Sequence, residues 1–217
     1  MSNWGGLGFQ DGCSIFMEEM SLFHDYVMCF MFTIMFFIFY FLFFFLLSTF
    51  KVESFVENHL MEFVWTVLPV FILLFIGVPS MILLYFSDDG DFLFTIKIIG
   101  HQWYWSYEYS DLSDFFYDSY ILNDSFFRLL GVDNSVLIPV NVYVRLMISS
   151  FDVIHSWALP SVGFKLDAVP GRLNMGVVNC YRLGEFYGQC SEICGANHSF
   201  MPIKLEVVSV DYFLGFL

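Results

Sequence analysis

Two long runs of apolar residues without a charge constrain this chain most. The first extends over 24 residues from Val27 to Phe50, and the second over 25 residues from Phe63 to Ser87. A helix rises about 1.5 Å per residue, so about 20 apolar residues cross the roughly 30 Å hydrocarbon core of a bilayer. The sequence therefore predicts a hairpin of two transmembrane helices, with both chain ends on one side of the membrane.

A cleaved signal peptide is the alternative for the first run. Such a peptide has a basic amino-terminal region and a shorter apolar stretch, whereas the first 26 residues contain four acids and no Lys or Arg. We therefore expect a tail over residues 1–26 and a retained hairpin over residues 27–87. Because basic flanks favour the cytoplasmic-like side, Lys51 in the loop and the absence of basic residues before Val27 predict an outer-side tail.

Residues 88–217 show the pattern of a single all-β domain. Short runs with alternating or strand-like composition are separated by Gly, Pro, Asn and Asp, which indicates a sandwich or a Greek-key barrel. The predicted strands are Leu93 to Ile99, Gln102 to Tyr109, Val140 to Ile148, Arg172 to Val178 and Ile203 to Val210. No long helix is expected outside the membrane.

The charge of this domain is acidic. Of the net charge of -14, the part from Asp88 onward contributes -8, from 15 acidic and 7 basic residues. An acidic surface argues against nucleic acid and would attract a basic partner. A solvated surface that only keeps the domain soluble is the alternative.

A loop near the carboxyl terminus concentrates soft metal ligands. Cys190, Cys194, His198 and Met201 lie within 12 residues, and thiolate, imidazole and thioether together suit a redox metal better than calcium or magnesium. The intervals of four could also form a stripe on a helix, but Gly and Pro in and around the loop make a helix improbable. His155 is the best upstream candidate for a second imidazole.

Two metals fit this inventory. Two Cys and two His can form a structural zinc site, but zinc ligands usually come in closely spaced pairs, and His155 stands alone 35 residues before Cys190. Met201 favours copper, since a thioether is a familiar weak axial ligand of copper. Two thiolates can bridge two copper ions, each with one histidine, so that one electron is shared and no position is left for a substrate.

The run from Gly100 to Tyr109 is unusually aromatic. In a strand Trp103, Trp105, Tyr107 and Tyr109 share one face. Core packing explains such a face, because aromatic residues bury large areas. An aromatic platform that a redox partner contacts is the functional alternative.

These residues, taken together, carry a family resemblance: the chain resembles subunit II of cytochrome c oxidase, of the mitochondrial type. The resemblance extends over nearly the whole length. It rests on Leu7 to Asp11, Met17 to Met20, Phe23 to Asp25, Val64 to Pro69, Gly100 to Tyr109, Val132 to Asn134, Asp152 to Pro160, Asp167 to Arg172 and Tyr187 to Pro202.

The resemblance implies a two-helix transmembrane hairpin followed by a cupredoxin-like Greek-key β-barrel that holds the binuclear CuA centre. The barrel, residues 88–217, would face the intermembrane space from the mitochondrial inner membrane. The subunit would accept electrons from cytochrome c and pass them to the haem of subunit I, where oxygen is reduced and protons are pumped. The implied copper ligands are His155, Cys190, Cys194, His198, Met201 and the backbone carbonyl of Glu192.

Further roles are implied by the same resemblance. The Glu192 carboxylate would bind magnesium shared with subunit I, Trp103 would be the electron entry, and Glu62 would lie at the mouth of a proton path. The acids implied in docking cytochrome c are Asp111, Asp114, Asp133 and Asp152. Phe151 departs from the family pattern, because many relatives have an acid there.

Two rival interpretations are kept. A quinol-oxidase relative of the same architecture would lack the copper ligands, and the complete set argues against it. A zinc-stabilised, membrane-anchored structural or assembly protein would carry no electrons. The sequence indicates no chemical role for Cys13, Cys29 or Cys180.

Overall fold

The computed structural model describes residues 7–50, 57–88, 90–109, 111–112 and 115–216. It divides into two compact units. One unit joins the tail, up to Glu18, to the part of the chain from Ser87 onward, and the other consists of residues 19–86. Residues 7–18 of the predicted tail therefore belong to the same compact unit as the β domain.

Two helices form the apolar hairpin. Helix α1 extends over Ile15–Leu47 and helix α2 over His59–Asp88. Both are long and apolar enough to span a membrane. In each helix, no residue of the most apolar 18-residue stretch is buried within the protein. Within this unit the Tyr26 hydroxyl donates a hydrogen bond to the carbonyl oxygen of Phe75 at 3.1 Å. The two-helix hairpin is thus confirmed.

Both helices begin earlier than the charge-free runs do. At the start of α1 the Ser14 hydroxyl accepts a hydrogen bond from the backbone N–H of Met17 at 3.0 Å, and at the start of α2 the Asn58 side chain does the same for Met61 at 3.1 Å. Side-chain oxygens at this position satisfy amide groups that have no partner inside the helix. Helix α1 therefore starts at Ile15 rather than at Val27, with charged residues in its first turns.

Ten strands and a short terminal helix build the remaining domain. Their bounds are β1 Phe94–His101, β2 Tyr104–Glu108, β3 Phe116–Ser119, β4 Val136–Pro139, β5 Val144–Ser150, β6 His155–Leu159, β7 Phe164–Ala168, β8 Asn174–Val178, β9 Gly184–Gln189, β10 Pro202–Val208 and α3 Val210–Phe216. One sheet has the order β3-β2-β1-β5-β8, a second β4-β10-β9, and β6 pairs with β7. The pairs β1–β5 and β4–β10 are parallel, and the others are antiparallel.

The core lies between the sheets and follows the alternation of their strands. In β5 and β10 every second side chain is buried, as expected for strands with one face on a core. The central side chains include Ile96, Ile98, Trp105, Leu146 and Ile203, which are all fully buried. Trp105, Tyr107 and Tyr109 belong to this core, so the packing interpretation holds for these three aromatic residues.

Candidate metal centre

Four of the predicted side-chain ligands come together through two separate parts of the chain. His155 opens strand β6, and Cys190, Cys194 and His198 lie in the connection between β9 and β10. One nitrogen of His155 and the sulfurs of Cys190 and Cys194 all lie within 4.8 Å of one another. The connection is a loop that ends in a short 3-10 helix at His198–Phe200, so the four-residue spacing does not form a helical stripe.

The two thiols are neighbours with different surroundings. Their Sγ atoms are 4.0 Å apart. Cys190 Sγ lies 3.9 Å from His155 Nδ1 and 3.4 Å from the carbonyl oxygen of Glu192. Cys194 Sγ lies 3.4 Å from His198 Nδ1 and 3.5 Å from Met201 Sδ. Each thiol is thus paired with one imidazole nitrogen, and the Glu192 carbonyl and the Met201 thioether complete the set.

His155 is fixed in one orientation by Asp152. The ring is fully buried, and its Nε2 lies 2.9 Å from Asp152 Oδ1. A carboxylate at this distance favours the tautomer in which Nε2 carries the proton, which leaves the Nδ1 lone pair directed at Cys190. The same carboxylate accepts backbone N–H bonds from Gln102 at 2.7 Å and from Val153 at 2.6 Å.

Gly100 makes room for this imidazole. A Cβ atom added at Gly100 in strand β1 would lie 2.9 Å from Cδ2 and 3.1 Å from Cγ of His155, closer than side-chain carbons normally approach. Gly188 has a similar role in β9, where an added Cβ would lie 1.8 Å from the carbonyl oxygen of Ala158 in β6. These two glycines allow β6 to lie close to β1 and to β9.

The pKa values of the two thiols are driven apart. Burial opposes ionisation of Cys190 most strongly, but the hydrogen bond with His155, the backbone hydrogen bonds with Glu192 and Ser156 and the charge of His155 together outweigh burial and lower the pKa of Cys190 to about 7. Burial, reinforced by the neighbouring Cys190, raises the pKa of Cys194 to about 12. Two thiolates this close repel each other, so the site favours a positive ion that would stabilise both.

Trp103 and Gln102 lie directly against the metal loop. The Gln102 side chain donates a 2.7 Å hydrogen bond to the carbonyl oxygen of Cys194. The half-buried indole of Trp103 lies beside Gly195, where an added Cβ would be 3.1 Å from Cζ2 and 3.3 Å from Nε1. Gly195 also has a φ of +127°, which side-chain-bearing residues rarely adopt. Trp103 thus contacts the loop that carries both thiols.

The structure gives three other predicted site residues contacts of their own. Glu62 is in the first turn of α2, where its carboxylate is 3.2 Å from His59 Nδ1. Asp111 accepts the Thr95 N–H at 2.9 Å, and Asp133 accepts the N–H groups of Tyr120 and Asn134, both at 2.7 Å. Asp114 lies outside the described residues.

Sequence reasoning missed the positioning residues of the site. Asp152 was expected only as a docking charge, whereas its carboxylate holds His155. Gln102 was given no role, and Gly100 only marked the start of the aromatic run. The one signal in the sequence was the carboxylate three residues before a candidate histidine ligand.

The donor set fits copper. Two thiols in contact have two imidazole nitrogens, a thioether and a carbonyl oxygen as their neighbours, and soft sulfur with imidazole suits copper. The thioether of Met201 is 1% exposed and contacts Cys194, which a plain zinc site would not need. Water is excluded from most of the cluster, because His155, Cys190 and Cys194 are also buried.

Family models match the two halves of the chain separately. The model described as cytochrome c oxidase subunit II, periplasmic domain, matches residues 94–208. The model described as cytochrome c oxidase subunit II, transmembrane domain, matches residues 2–83. Together they account for the hairpin and the β domain.

Relatives that match nearly the whole chain are cytochrome c oxidase subunit 2 proteins. The chain is 48% identical over 223 residues to cytochrome c oxidase subunit 2 of Schistocerca gregaria, covering 100% of this chain and 98% of the relative. It is 50% identical over 215 residues to that of Branchiostoma floridae, covering 96% of this chain and 94% of the relative.

A solved structure matches the β domain. The periplasmic domain of subunit II of cytochrome oxidase (CoxB) of Bradyrhizobium japonicum superposes with a TM-score of 0.57 at 48% identity, over 58% of this chain and 92% of that one. A second, the mixed disulfide intermediate between thioredoxin-like TlpAs and subunit II of cytochrome c oxidase, matches with a TM-score of 0.54 at 47% identity, over 59% and 91%.

Proposed function

The chain belongs to the cytochrome c oxidase subunit II family, and we propose that its cluster of sulfur and nitrogen donors holds copper as the binuclear CuA centre. It is a membrane protein and a subunit of the oxidase complex, so other oxidase subunits are its partners. In this proposal the subunit accepts electrons from reduced cytochrome c and passes them to the haem of subunit I. The oxygen-reducing site belongs to that partner.

One observation carries the proposal: two buried thiols, 4.0 Å apart, each have their own imidazole nitrogen within 3.9 Å. A mononuclear site needs one thiol, whereas Cys190 and Cys194, each with its own imidazole, would together hold a pair of copper ions. Bound there, the copper pair would supply one-electron redox chemistry with the charge spread over both ions.

The chain's own residues keep this site ready for the metal. Asp152 holds the proton on Nε2 of His155, which leaves Nδ1 free as a ligand atom. The Cys190 N–H donates to the Met201 carbonyl oxygen at 3.4 Å, which ties the two ends of the loop together. A rigid, mostly dry donor set limits the rearrangement that accompanies a change of charge.

Electron entry is assigned to Trp103. Its indole touches the metal loop at Gly195 on one side and is half-buried, so part of it faces solvent.

Docking of a basic protein such as cytochrome c is assigned to the acidic surface, with Asp111, Asp114, Asp133 and Asp152 as the contributing carboxylates. Asp111, Asp133 and Asp152 are exposed but each also accepts a backbone hydrogen bond.

Two further roles complete the proposal. Glu192 directs its carbonyl oxygen at Cys190, and the residue itself is exposed, which would leave its carboxylate available for a magnesium ion shared with subunit I. Glu62, in the first turn of α2, is assigned to the mouth of a proton path in subunit I. The location that accompanies these roles is the mitochondrial inner membrane, with the β domain in the intermembrane space and the hairpin in lipid.

The proposal is tested by metal binding and by electron uptake in the full-length chain in detergent. The apo chain is dialysed against limiting copper and zinc together, the bound metals are counted, and the loaded chain is mixed with reduced cytochrome c in the absence of oxygen. We expect two copper ions per chain and oxidation of cytochrome c. One zinc ion per chain without any oxidation would support the structural rival and contradict the proposal.

A further inference from the structure

A second pair of cysteines lies in the β domain, away from the metal loop. Cys13 and Cys180 are 167 residues apart in sequence, yet their Sγ atoms are 3.6 Å apart. Both side chains are fully buried, and both thiols are free. The remaining cysteine, Cys29, lies within α1, so these two are matched only with each other.

The backbones on both sides of this contact are held in place. The Cys13 N–H donates to the carbonyl oxygen of Ser161 at 2.8 Å, and the Cys13 carbonyl accepts the N–H of Tyr181 at 3.0 Å. The carbonyl of Cys180 accepts the N–H of Asn141 at 2.8 Å. The backbone at Cys13 is therefore held by Ser161 and Tyr181, so the contact between the two sulfurs does not depend on side-chain rotamers alone.

Side chains next to the pair fasten the same segment. Ser14 donates its hydroxyl to the carbonyl oxygen of Val162 at 2.6 Å, and Arg182 donates to the carbonyl oxygen of Asp11 at 3.1 Å. The hydroxyl of Tyr181 donates to the carbonyl oxygen of Gly12 at 3.2 Å. These contacts lie on both sides of Cys13 along the chain, so its thiol is presented to Cys180 at the centre of the contact.

The surroundings of the pair do not favour a metal. Among the described residues, the one group of three or more His, Cys, Asp or Glu donors close enough to hold an ion is His155 with Cys190 and Cys194. Two sulfurs without a third such donor make a poor closed site for zinc or copper. Paired thiols in contact are instead suited to form a bond with each other.

We propose that Cys13 and Cys180 are a disulfide-forming site that covalently fastens the amino-terminal tail to the β domain. This inference goes beyond the proposed function and requires no metal. The disulfide would close a loop that contains almost the whole domain and α1 and α2. Because long loops gain most from closure in the chain-entropy account, the bond would stabilise the folded unit by restricting the unfolded chain.

The oxidant is a small-molecule disulfide, and the exchange balances. The Cys13 thiol loses its proton to solvent, and its thiolate attacks one sulfur of the oxidant. This forms a mixed disulfide between Cys13 and that sulfur and releases the other half of the oxidant as a thiolate. Cys180 then loses its proton and attacks the Cys13 sulfur, which releases the second thiol. Two cysteine thiols are oxidised to one disulfide, and one external disulfide is reduced to two thiols.

The two thiols are not equivalent in the folded state. The hydrogen bond with Cys180 lowers the pKa of Cys13 against the opposing effect of burial, and Arg182 adds to the lowering. The pKa of Cys180 is raised by the same hydrogen bond and by burial. Since both sulfurs are buried, the oxidant reacts when the tail has locally separated from the domain.

The test maps disulfides in the full-length chain without metal. The protein in detergent is equilibrated in buffers of increasing glutathione disulfide to glutathione ratio, quenched in acid, denatured, alkylated and digested. We expect a peptide that links Cys13 to Cys180, separate from any product of Cys190 and Cys194. The unfolding temperature of the oxidised chain should exceed that of the reduced chain by on the order of 10 °C.

Single variants provide the control. Cys13→Ala and Cys180→Ala should each lose the linked peptide and the oxidant-dependent rise in unfolding temperature. If both peptides of the wild-type chain are alkylated at every ratio, or if each cysteine carries only its own glutathione adduct, the proposal is overturned. Neither outcome depends on copper, so it would not bear on the proposed metal centre.

Discussion

Two pairs of buried thiols lie in the same domain, and they differ in what surrounds them. Cys190 and Cys194 are 4.0 Å apart and face His155, His198 and Met201. Cys13 and Cys180 are 3.6 Å apart, and the polar side chains that act on Cys13 besides Cys180 are Ser161 and Arg182. The distance between two sulfurs does not by itself decide their chemistry. The imidazole and thioether neighbours of Cys190 and Cys194 make that pair a metal site. Among the described residues, Cys13 and Cys180 have no such neighbours, and this makes them a disulfide site.

The largest effect is expected from removing one thiol of each pair. Cys194→Ser should abolish the binuclear centre and its near-infrared absorption, because the second bridging sulfur is lost, while the β domain stays folded by circular dichroism. Cys180→Ser should leave copper binding intact and cost about 1–3 kcal/mol of stability from a buried hydroxyl. Retained near-infrared absorption in Cys194→Ser would show that the two sulfurs do not bridge.

Gly100→Ala should have the next largest effect, because it should impair copper binding at Cys190 and Cys194 and leave the contact of Cys13 with Cys180 unchanged. The new methyl group would displace the His155 ring, from which it would lie 2.9 Å in the unaltered structure, so copper stoichiometry should fall well below that of the wild type. Gly215→Ala, where no atom lies within 4 Å of the added carbon, is the matched control. Metal counting after dialysis checks the effect, and normal loading of Gly100→Ala would contradict the role of β1.

Asp152→Asn should have a smaller effect on the same site. The amide cannot hold the imidazole tautomer as a carboxylate does, so copper affinity should fall roughly 10–100-fold, as for other residues that orient a metal ligand. Asp133→Asn removes another exposed charge, one that does not contact a ligand, and should leave the affinity unchanged. Competition with a copper chelator measures both, and equal affinities for the two variants would return Asp152 to a docking role alone.

Trp103→Phe should have the smallest effect, because it leaves both thiol pairs and the metal in place. We expect slower electron transfer from reduced cytochrome c, with a lesser change in the binding constant, since the phenyl ring reaches less far than the indole. Stopped-flow kinetics at matched saturation checks this, with Tyr120→Phe as the control for a nearby aromatic surface residue. Unchanged transfer rates would reduce Trp103 to a packing role.

The sequence predicted the donors better than their supports. The metal loop carries its ligands within 12 residues, so their residue types alone indicate the chemistry. The support from Asp152 and the space left by Gly100 depend on how β1 and β6 approach each other, which no local pattern records. The contact of Cys13 with Cys180 was missed for the same reason, because it joins positions that are 167 residues apart.

Five of the ten strands among the described residues were predicted from their alternation or their composition. Strands β1, β2, β5, β8 and β10 alternate or have strand-like composition and were predicted near their observed positions, although residues 140–143 precede β5 as a turn and extended chain. Strands β4 and β6 are buried along their whole length and have no period of two to detect. The start of α1 was missed because its first turns are charged and only the Ser14 cap marks them.

The most direct test of the central claim is electron paramagnetic resonance of the copper-loaded full-length chain, with metal analysis of the same sample. Because each thiol has its own imidazole nitrogen and the two sulfurs are 4.0 Å apart, we expect one unpaired electron whose hyperfine structure comes from two equivalent copper nuclei. Hyperfine structure from a single nucleus, or a silent spectrum with stoichiometric zinc, would contradict it.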